Sequence, residues 1–475
     1  MHSFRSLFLA AYLGATAATA IAAEPAARPA PRPNIIFILS DDQGWGDVGF
    51  HGSEIKTPNI DRLAASGVQL DQFYVQPLCS PTRASFLTGR YPMRYGLQIG
   101  VVRPFARYGL PLSERLLPQA LHEAGYETAI TGKWHLGFPS PEYLPTHRGF
   151  DHQYGLYNGN FDYFTHRRDG GLDWHRDDKA LEEEGYSTHL IAGEAARLIK
   201  EHKQDKPLFL YVAFNAVHGP FQVPDSYAAP YTEMTGRRKT YAGMVAAMDE
   251  AIGQILVALD QAGMRQNSLI VFCSDNGGPL PGVITSNGAL RDGKGSLYEG
   301  GVRVPAIVVW DGKIKPGTSV GAPLHMVDWY PTLLRLAGAS LEQPLALDGR
   351  DAWGAIAGSA PSPHDDILHN VSTTGGAVRM GDWKLVVNGQ IKDGEEGGEE
   401  KPERVAAKQQ ALAAPQVELF NLKDDPNEKS NLAASHPEKV AELRARLEAY
   451  IKAAAPSLQA PAPAEFKPPA IWGEP

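Results

Sequence analysis

The run NIIFILSDDQG at residues 34–44 constrains the fold more than any other stretch of this chain. Its unbroken apolar centre leaves no polar side for water, so a strand built from it must be covered on both faces, the condition of a parallel sheet between helix layers. The run then switches abruptly to acid at Asp41 and Asp42. KPLFLYVAFNAVH, SLIVFCSDNGG and RVPAIVVW repeat the apolar pattern. Helical patterns lie between them. In KTPNIDRLAASG, Thr57 is placed as N-cap, Pro58 at the first helical position and Gly67 as the stop, with Ile60, Leu63 and Ala64 on one face. In TYAGMVAAMDEAIGQILVALDQAG, one stripe carries Tyr241, Met244, Val245, Met248, Ile252, Ile255 and Leu259. Alternation of this kind predicts an α/β fold with a large, mostly parallel sheet flanked by helices. Ligands in such folds gather beyond the carboxyl ends of the strands.

From about residue 360 the segments shorten to AVRMGDWKLVVNG and VELFNL, followed by a helix with Val440, Leu443, Leu447 and Ile451 in register. The expected organisation is therefore a catalytic part over residues 34–358 and a smaller C-terminal α+β part over 359–475, closed by a Pro/Ala-rich tail that wraps the surface or stays mobile. The stretch KDGEEGGEEKPERVAAKQQ reads as a solvated loop. Residues 1–23 have a basic start, an apolar stretch and small residues before Glu24, the pattern of a cleavable export signal, with an Ala/Pro linker at 24–33. The expected location is periplasmic or secreted. No later segment is read as a membrane span, so stable membrane insertion is not expected. A net charge of −9 argues against a nucleic-acid partner. Any anionic ligand must be held by a local cluster of cations.

Such a cluster is available. Asp41 and Asp42 follow one predicted strand, and Asp275 and Asn276 follow another. Three carboxylates and an amide favour a hard cation, Ca²⁺ or Mg²⁺, over zinc. Taken singly, each pair also fits a loop-capping acid or an Asx-turn. Arg83, Lys133, His135, His218 and Lys294 lie in other segments expected to reach strand ends, and a cation set of this kind suits an anionic substrate. Only two cysteines are present. Cys273 falls inside a buried strand; Cys79 opens the polar motif LCSPTRASFLTGR at residues 78–90, a context for chemistry rather than for a Cys79–Cys273 bridge. Asn370 in HNVST forms a glycosylation sequon.

The C-x-P-x-R pattern of Cys79, Pro81 and Arg83, followed by LTGR ending at Arg90, resembles the signature of type I sulfatases. GWGDVGFHG, GKWHLG, LPTHRGFD, YAGMVAAMDEAIG and SDNGG extend that resemblance over most of the chain, nearest to the arylsulfatase B group. The resemblance implies an alkaline-phosphatase-like fold and hydrolysis of aryl or carbohydrate sulfate esters, with 4-sulfated N-acetylgalactosamine as a candidate substrate. It implies that a formylglycine-generating enzyme oxidises Cys79 to formylglycine. It places metal ligation, by Ca²⁺ with Mg²⁺ as the alternative, on Asp41, Asp42, Cys79, Asp275 and Asn276. Catalytic roles fall on Cys79, Arg83, Lys133, His135, His218 and Lys294. One hydroxyl of the formylglycine hydrate attacks sulfur, Lys294 or His218 protonates the leaving group, and His135 takes the proton that releases sulfate. Two other readings stay open at this point: a phosphatase or phosphonate hydrolase of the same superfamily, and a non-catalytic binder of sulfated glycans.

Overall fold

The computed structural model describes residues 32–372, 374–391 and 415–474. The export signal, most of the linker and the charged loop lie outside the described residues. Residues 32–475 cluster as one compact unit.

The apolar run at residues 34–40 forms strand β1, Asn34–Ser40, buried at all seven positions. It is the second of five parallel strands, between β4 (Leu208–Ala213) and β5 (Ser268–Ser274); β2 (Glu127–Lys133) and β3 (His152–Leu156) continue the sheet beyond β4. Alternating side chains feed two cores. Ile35, Phe37 and Leu39 enter one, packed on α2 (Cys79–Thr88) and α5 (Trp329–Leu336), with Phe37 stacked 3.9 Å from Phe86. Ile36 and Ile38 enter the other, beneath α1 (Pro58–Ser66), α3 (Ser187–Glu201) and α4 (Gly236–Gln261). All seven stripe residues of α4 are buried. By length and apolar content α4 would suffice to cross a membrane, contrary to the expectation that no such segment follows the signal; here it forms part of the protein core.

The sheet's centre is parallel as expected, but its flanks are mixed. Strand β6 (Ala306–Val309) runs antiparallel to β5, the strand Val68–Leu70 runs antiparallel to β6, and on the far side His175–Arg176 runs antiparallel to β3. An apolar run reports burial on both faces and carries no direction, which explains the difference. Thr57 does precede α1, but its hydroxyl donates to Asp61 Oδ1 and accepts from the Gly49 N–H rather than capping the helix.

The C-terminal part is an antiparallel meander, β7 (Asp366–Val371), β8 (Gly376–Met380), β9 (Trp383–Val387) and β10 (Val417–Asn421), packed against α6 (Pro437–Lys452). Leu443 and Leu447 of α6 are buried as expected, whereas Ile451 is 39% exposed and Tyr450 takes the inward position. The sequon at Asn370 is not presented to solvent: its side chain is buried in β7 and its Nδ2 donates to Gln98 O at 2.8 Å. The meander's other face, with Ala377, Val386 and Phe420, packs with Leu78 and Cys79. The second sheet thus forms part of the wall behind the sulfur.

Candidate active site

Register brings the candidate residues together. Ser40 of β1 pairs with Ser274 of β5, so Asp41 and Asp275 leave the sheet side by side, and Asp275 N donates to Ser40 O at 3.0 Å. Asp41 exchanges backbone hydrogen bonds with Ala216 and Val217, which fixes the loop carrying His218 beside it. Asp42 turns out of the strand with φ 62°, the left-handed conformation that aspartate tolerates better than most residues. On the other flank Lys133 is the last residue of β2. Cys79 is the first residue of α2, and Arg83 follows one turn later on the same face.

The resulting cluster is buried and charged. Arg83 Nη2 lies 3.1 Å from Asp41 Oδ2 and 2.9 Å from Asp275 Oδ2, while Nη1 donates to Lys133 O at 3.1 Å. Lys133 Nζ pairs with Asp41, and Lys294 Nζ lies 2.8 Å from Asp42 Oδ1. His218 Nε2 is 3.6 Å from Asp42 Oδ2. The Cys79 thiol donates to Asp41 Oδ1 at 3.5 Å. Asp42 N donates to Asp275 Oδ1, and Asn276 Nδ2 to Asp42 Oδ1. Three carboxylates therefore face three fixed cations.

His135, with φ 57°, sits two residues past β2. Its Nε2 lies 3.1 Å from Val102 O. A carbonyl oxygen only accepts, so Nε2 carries the proton and Nδ1 is left as the acceptor; among the described residues nothing donates to Nδ1. Ser80 completes the support, donating to His135 O at 2.8 Å and accepting from Val102 N at 3.0 Å. The sequence reading missed Ser80, because a serine beside the cysteine carries no signal of a partner 55 residues away.

Electrostatics sharpen these roles. Burial and then the carboxylates of Asp275 and Asp41 push the Cys79 thiol well above its ordinary range, so the unmodified sulfur stays protonated and weakly nucleophilic. Burial, Lys133 and Arg83 hold His135 well below the usual histidine range, leaving it neutral and able to accept a proton. Burial would raise Asp42, but Lys294 and His218 outweigh it and keep the carboxylate ionised. Asp275 is pushed up to about 6 by burial and by Asp41, against the pull of Arg83.

The donor set fits a hard cation. Ligand atoms of Asp41, Asp42, Cys79 and His218 all lie within 4.8 Å of one another. Asp275 turns one oxygen toward Arg83 and the other toward Asp42 N. Asn276 Oδ1 is buried, and among the described residues no group donates to it. All ten residues singled out in the sequence fall at the carboxyl ends of adjacent strands, in the loops that follow them, or in α2 beside them.

Buried acids interleaved with lysine, arginine and histidine at the end of a doubly covered parallel sheet define a site for an anionic ester. Comparison with known proteins narrows the class: residues 33–339 match the sulfatase family and residues 362–472 the C-terminal region of aryl-sulfatase. The chain is 38% identical over 458 residues to arylsulfatase J of Mus musculus, covering 89% of this chain and 76% of that one. It is 37% identical over 344 residues to N-acetylgalactosamine-6-sulfatase of Mus musculus, covering 67% and 65%. The crystal structure of Ps i-CgsB in complex with k-i-k-neocarrahexaose superposes with a TM-score of 0.79 at 33% identity, over 89% of this chain and 94% of that one. The chain belongs to the type I sulfatase family. It is a sulfatase, an enzyme that hydrolyses sulfate esters.

Proposed function

We propose that this exported sulfatase cleaves a sulfate ester from a carbohydrate through formylglycine made from Cys79, with residues 34–358 as its catalytic part and 359–475 as the companion. The observation that carries this reading is the thiol itself. It stands 3.5 Å from Asp41, beside Arg83 and in the field of Lys133 and Lys294, where a nucleophile belongs, yet its surroundings keep it protonated. A site so built makes chemical sense once the sulfur has been replaced by oxygen.

Asp41, Asp42, Asp275 and Asn276 would hold one divalent cation, Ca²⁺ in this reading and Mg²⁺ as the alternative, together with the oxygen at position 79. The cation supplies charge that offsets the repulsion between anionic sulfate and incoming oxygen. Hydrated formylglycine at position 79 would supply an oxygen nucleophile for sulfur and a second hydroxyl whose deprotonation lets the carbon–oxygen bond to sulfate break. Arg83, locked by Asp41, Asp275 and Lys133 O, fixes that oxygen's position by its charge. Lys133, His218 and Lys294 bind the sulfate oxygens and stabilise charge as the ester bond breaks. Lys294 or His218 delivers the proton to the departing sugar oxygen, which leaves as the alcohol. His135 Nδ1, the ring atom left over by the hydrogen bond to Val102 O, accepts the proton of the second hydroxyl.

A relative named for N-acetylgalactosamine 6-sulfate and a structural neighbour crystallised with a hexaose both favour a sugar over an aryl sulfate as substrate. 4-Sulfated N-acetylgalactosamine is the first compound to try, with the 6-sulfate beside it. Sulfate release from a panel of position-defined sulfated sugars tests the substrate, and mass spectrometry of the peptide containing Cys79 tests the chemistry. An active preparation whose Cys79 is wholly unmodified thiol overturns the mechanism; a panel that is inert while aryl sulfates turn over efficiently overturns the sugar.

A further inference from the structure

Asn287 belongs to none of the residues so far given a part in the reaction, yet its side chain touches three of the segments that build the site. It lies in the loop between Asn276 and Lys294 and is 2% exposed. Its Oδ1 accepts from Trp45 N at 3.3 Å and from Gly278 N at 3.0 Å. Its Nδ2 donates to Gly278 O at 3.1 Å and to Asp292 O at 2.8 Å. Both N–H groups and both lone pairs of the amide are thereby used, and two donors against two acceptors fix which end is oxygen. Trp45 is three residues past Asp42, Gly278 two past Asn276, and Asp292 two before Lys294. One carboxamide thus joins both strand ends to the arm that carries Lys294.

The residue before it is seated independently. Ser286 N donates to Asp47 Oδ2 at 2.8 Å, and Gly46 N donates to Ser286 O at 2.7 Å. Asp47, fully buried, is held in turn by Arg238 Nη1 at 2.7 Å and by Tyr241 OH at 3.0 Å, both from α4. The backbone closes around the amide: a Cβ on Gly44 would meet Asn287 Oδ1 at 2.9 Å, and one on Gly293 would meet Nδ2 at 3.0 Å. Glycine at both positions is what lets the three segments converge on one side chain.

We infer that Asn287 is a positioning residue that sets the spacing between the acids after β1 and β5 and the Lys294 ammonium, and so couples cation affinity to sulfate affinity; this rests on the reading of those acids and Lys294 given above. The two ends of the amide divide the work. Oδ1 meets only the strand ends, whereas Nδ2, which also bonds Gly278 O, is the end that reaches the lysine arm, so substitutions that remove one end or both separate the two effects.

The test uses the full-length protein after chelation and measures binding of Ca²⁺ alone and of inorganic sulfate to the Ca²⁺-loaded form by calorimetry, alongside thermal unfolding. Asn287→Ala removes both ends and is expected to weaken both ligands by about 10-fold or more, the scale of residues that orient metal ligands without touching the metal. Asn287→Asp keeps the shape and both acceptors but loses the donors to Asp292 O and Gly278 O. It is expected to weaken sulfate by about 10-fold and leave Ca²⁺ within about 3-fold, on the same scale. Asn370→Ala, which removes another buried amide far along the chain, is the control for destabilisation alone. Wild-type affinities in both Asn287 variants overturn the inference, as does a loss no larger than the control shows at equal loss of thermal stability. If either variant fails to fold, the other decides. A wild-type protein that binds neither probe overturns the functional reading and this inference together, whereas wild-type binding of both with indistinguishable variants overturns only the inference.

Discussion

Arg83 illustrates how much one side chain can fix. Fully buried, it meets two carboxylates and a carbonyl with the planar fork of the guanidinium, a geometry that lysine's single ammonium does not reproduce. Replacing it by methionine fills the volume but leaves Asp275 without its ion pair and Asp41 with Lys133 alone, so Arg83→Met should lower stability by about 3–5 kcal/mol in urea unfolding. Cys79→Ala should behave oppositely, abolishing turnover while costing about 1 kcal/mol, because one long contact and a small buried group are all that is lost. A Cys79→Ala protein with sustained sulfatase activity would remove position 79 from the mechanism. These residues were legible because their chemistry is tied to local sequence: cysteine and arginine four apart in one short motif, acids directly after apolar runs. Ser80 and Asn287 were not, since the partners of Ser80 lie 22 and 55 residues away, Asn287 reaches Trp45 across 242 residues, and an Asn-Gly pair in a loop reads simply as a turn.

At the scale of elements, the sequence told strands and helices apart wherever burial was one-sided or continuous over a long run. It said nothing of α2 as a helix, because all ten residues of Cys79–Thr88 are buried and no polar face marks the helical period. On α6 the period permits either Tyr450 or Ile451 after Leu447. Tyr450 takes the inside because its hydroxyl reaches Asp366 Oδ1 at 2.5 Å and its ring meets Tyr91 edge-on at 5.9 Å. Ile451→Lys should therefore change stability by less than about 0.5 kcal/mol. The tail hides a stronger anchor. Trp472 is 1% exposed, packs on Phe138 and Phe466, and donates its Nε1 to Arg168 O at 3.0 Å, while Trp472 N donates to Leu172 O and Leu172 N donates to Ala470 O, both at 2.9 Å. Phe138 lies three residues past His135, so the tail buttresses that layer of the site. Trp472→Ala should cost about 3–5 kcal/mol by urea unfolding, a loss that a tail merely lying on the surface would not produce.

Across the whole molecule, the two sheets meet at a buried ion cluster that neither sheet's pattern announces. Lys384 on β9 is at an alternating position that in a one-sided sheet would face water; here it is fully buried, 2.8 Å from Glu299 Oε1 and 2.9 Å from Glu428 Oε1. Glu299 follows the Lys294 arm and also accepts from Tyr74 OH at 2.8 Å, and its N–H donates to Glu428 Oε2 at 2.6 Å. One lysine thus serves two carboxylates. Burial would raise Glu299, but Lys384 and Arg303 hold it below the usual range. Glu428 yields instead: burial and the charge of Glu299 push it up to about 7 against the pull of Lys384. Between the ordinary value of 4.5 and about 7 the folded protein therefore binds more protons here than the unfolded chain does. Stability from this group is complete below 4.5 and is lost as pH rises through about 7. Glu428→Gln carries no proton to lose, so the stability of the variant relative to wild type should climb by about 2 to 3 kcal/mol between pH 5 and pH 8. Urea unfolding of both proteins across that range measures the climb; parallel curves would mean that Glu428 is ionised throughout and that Lys384 balances both carboxylates at the seam.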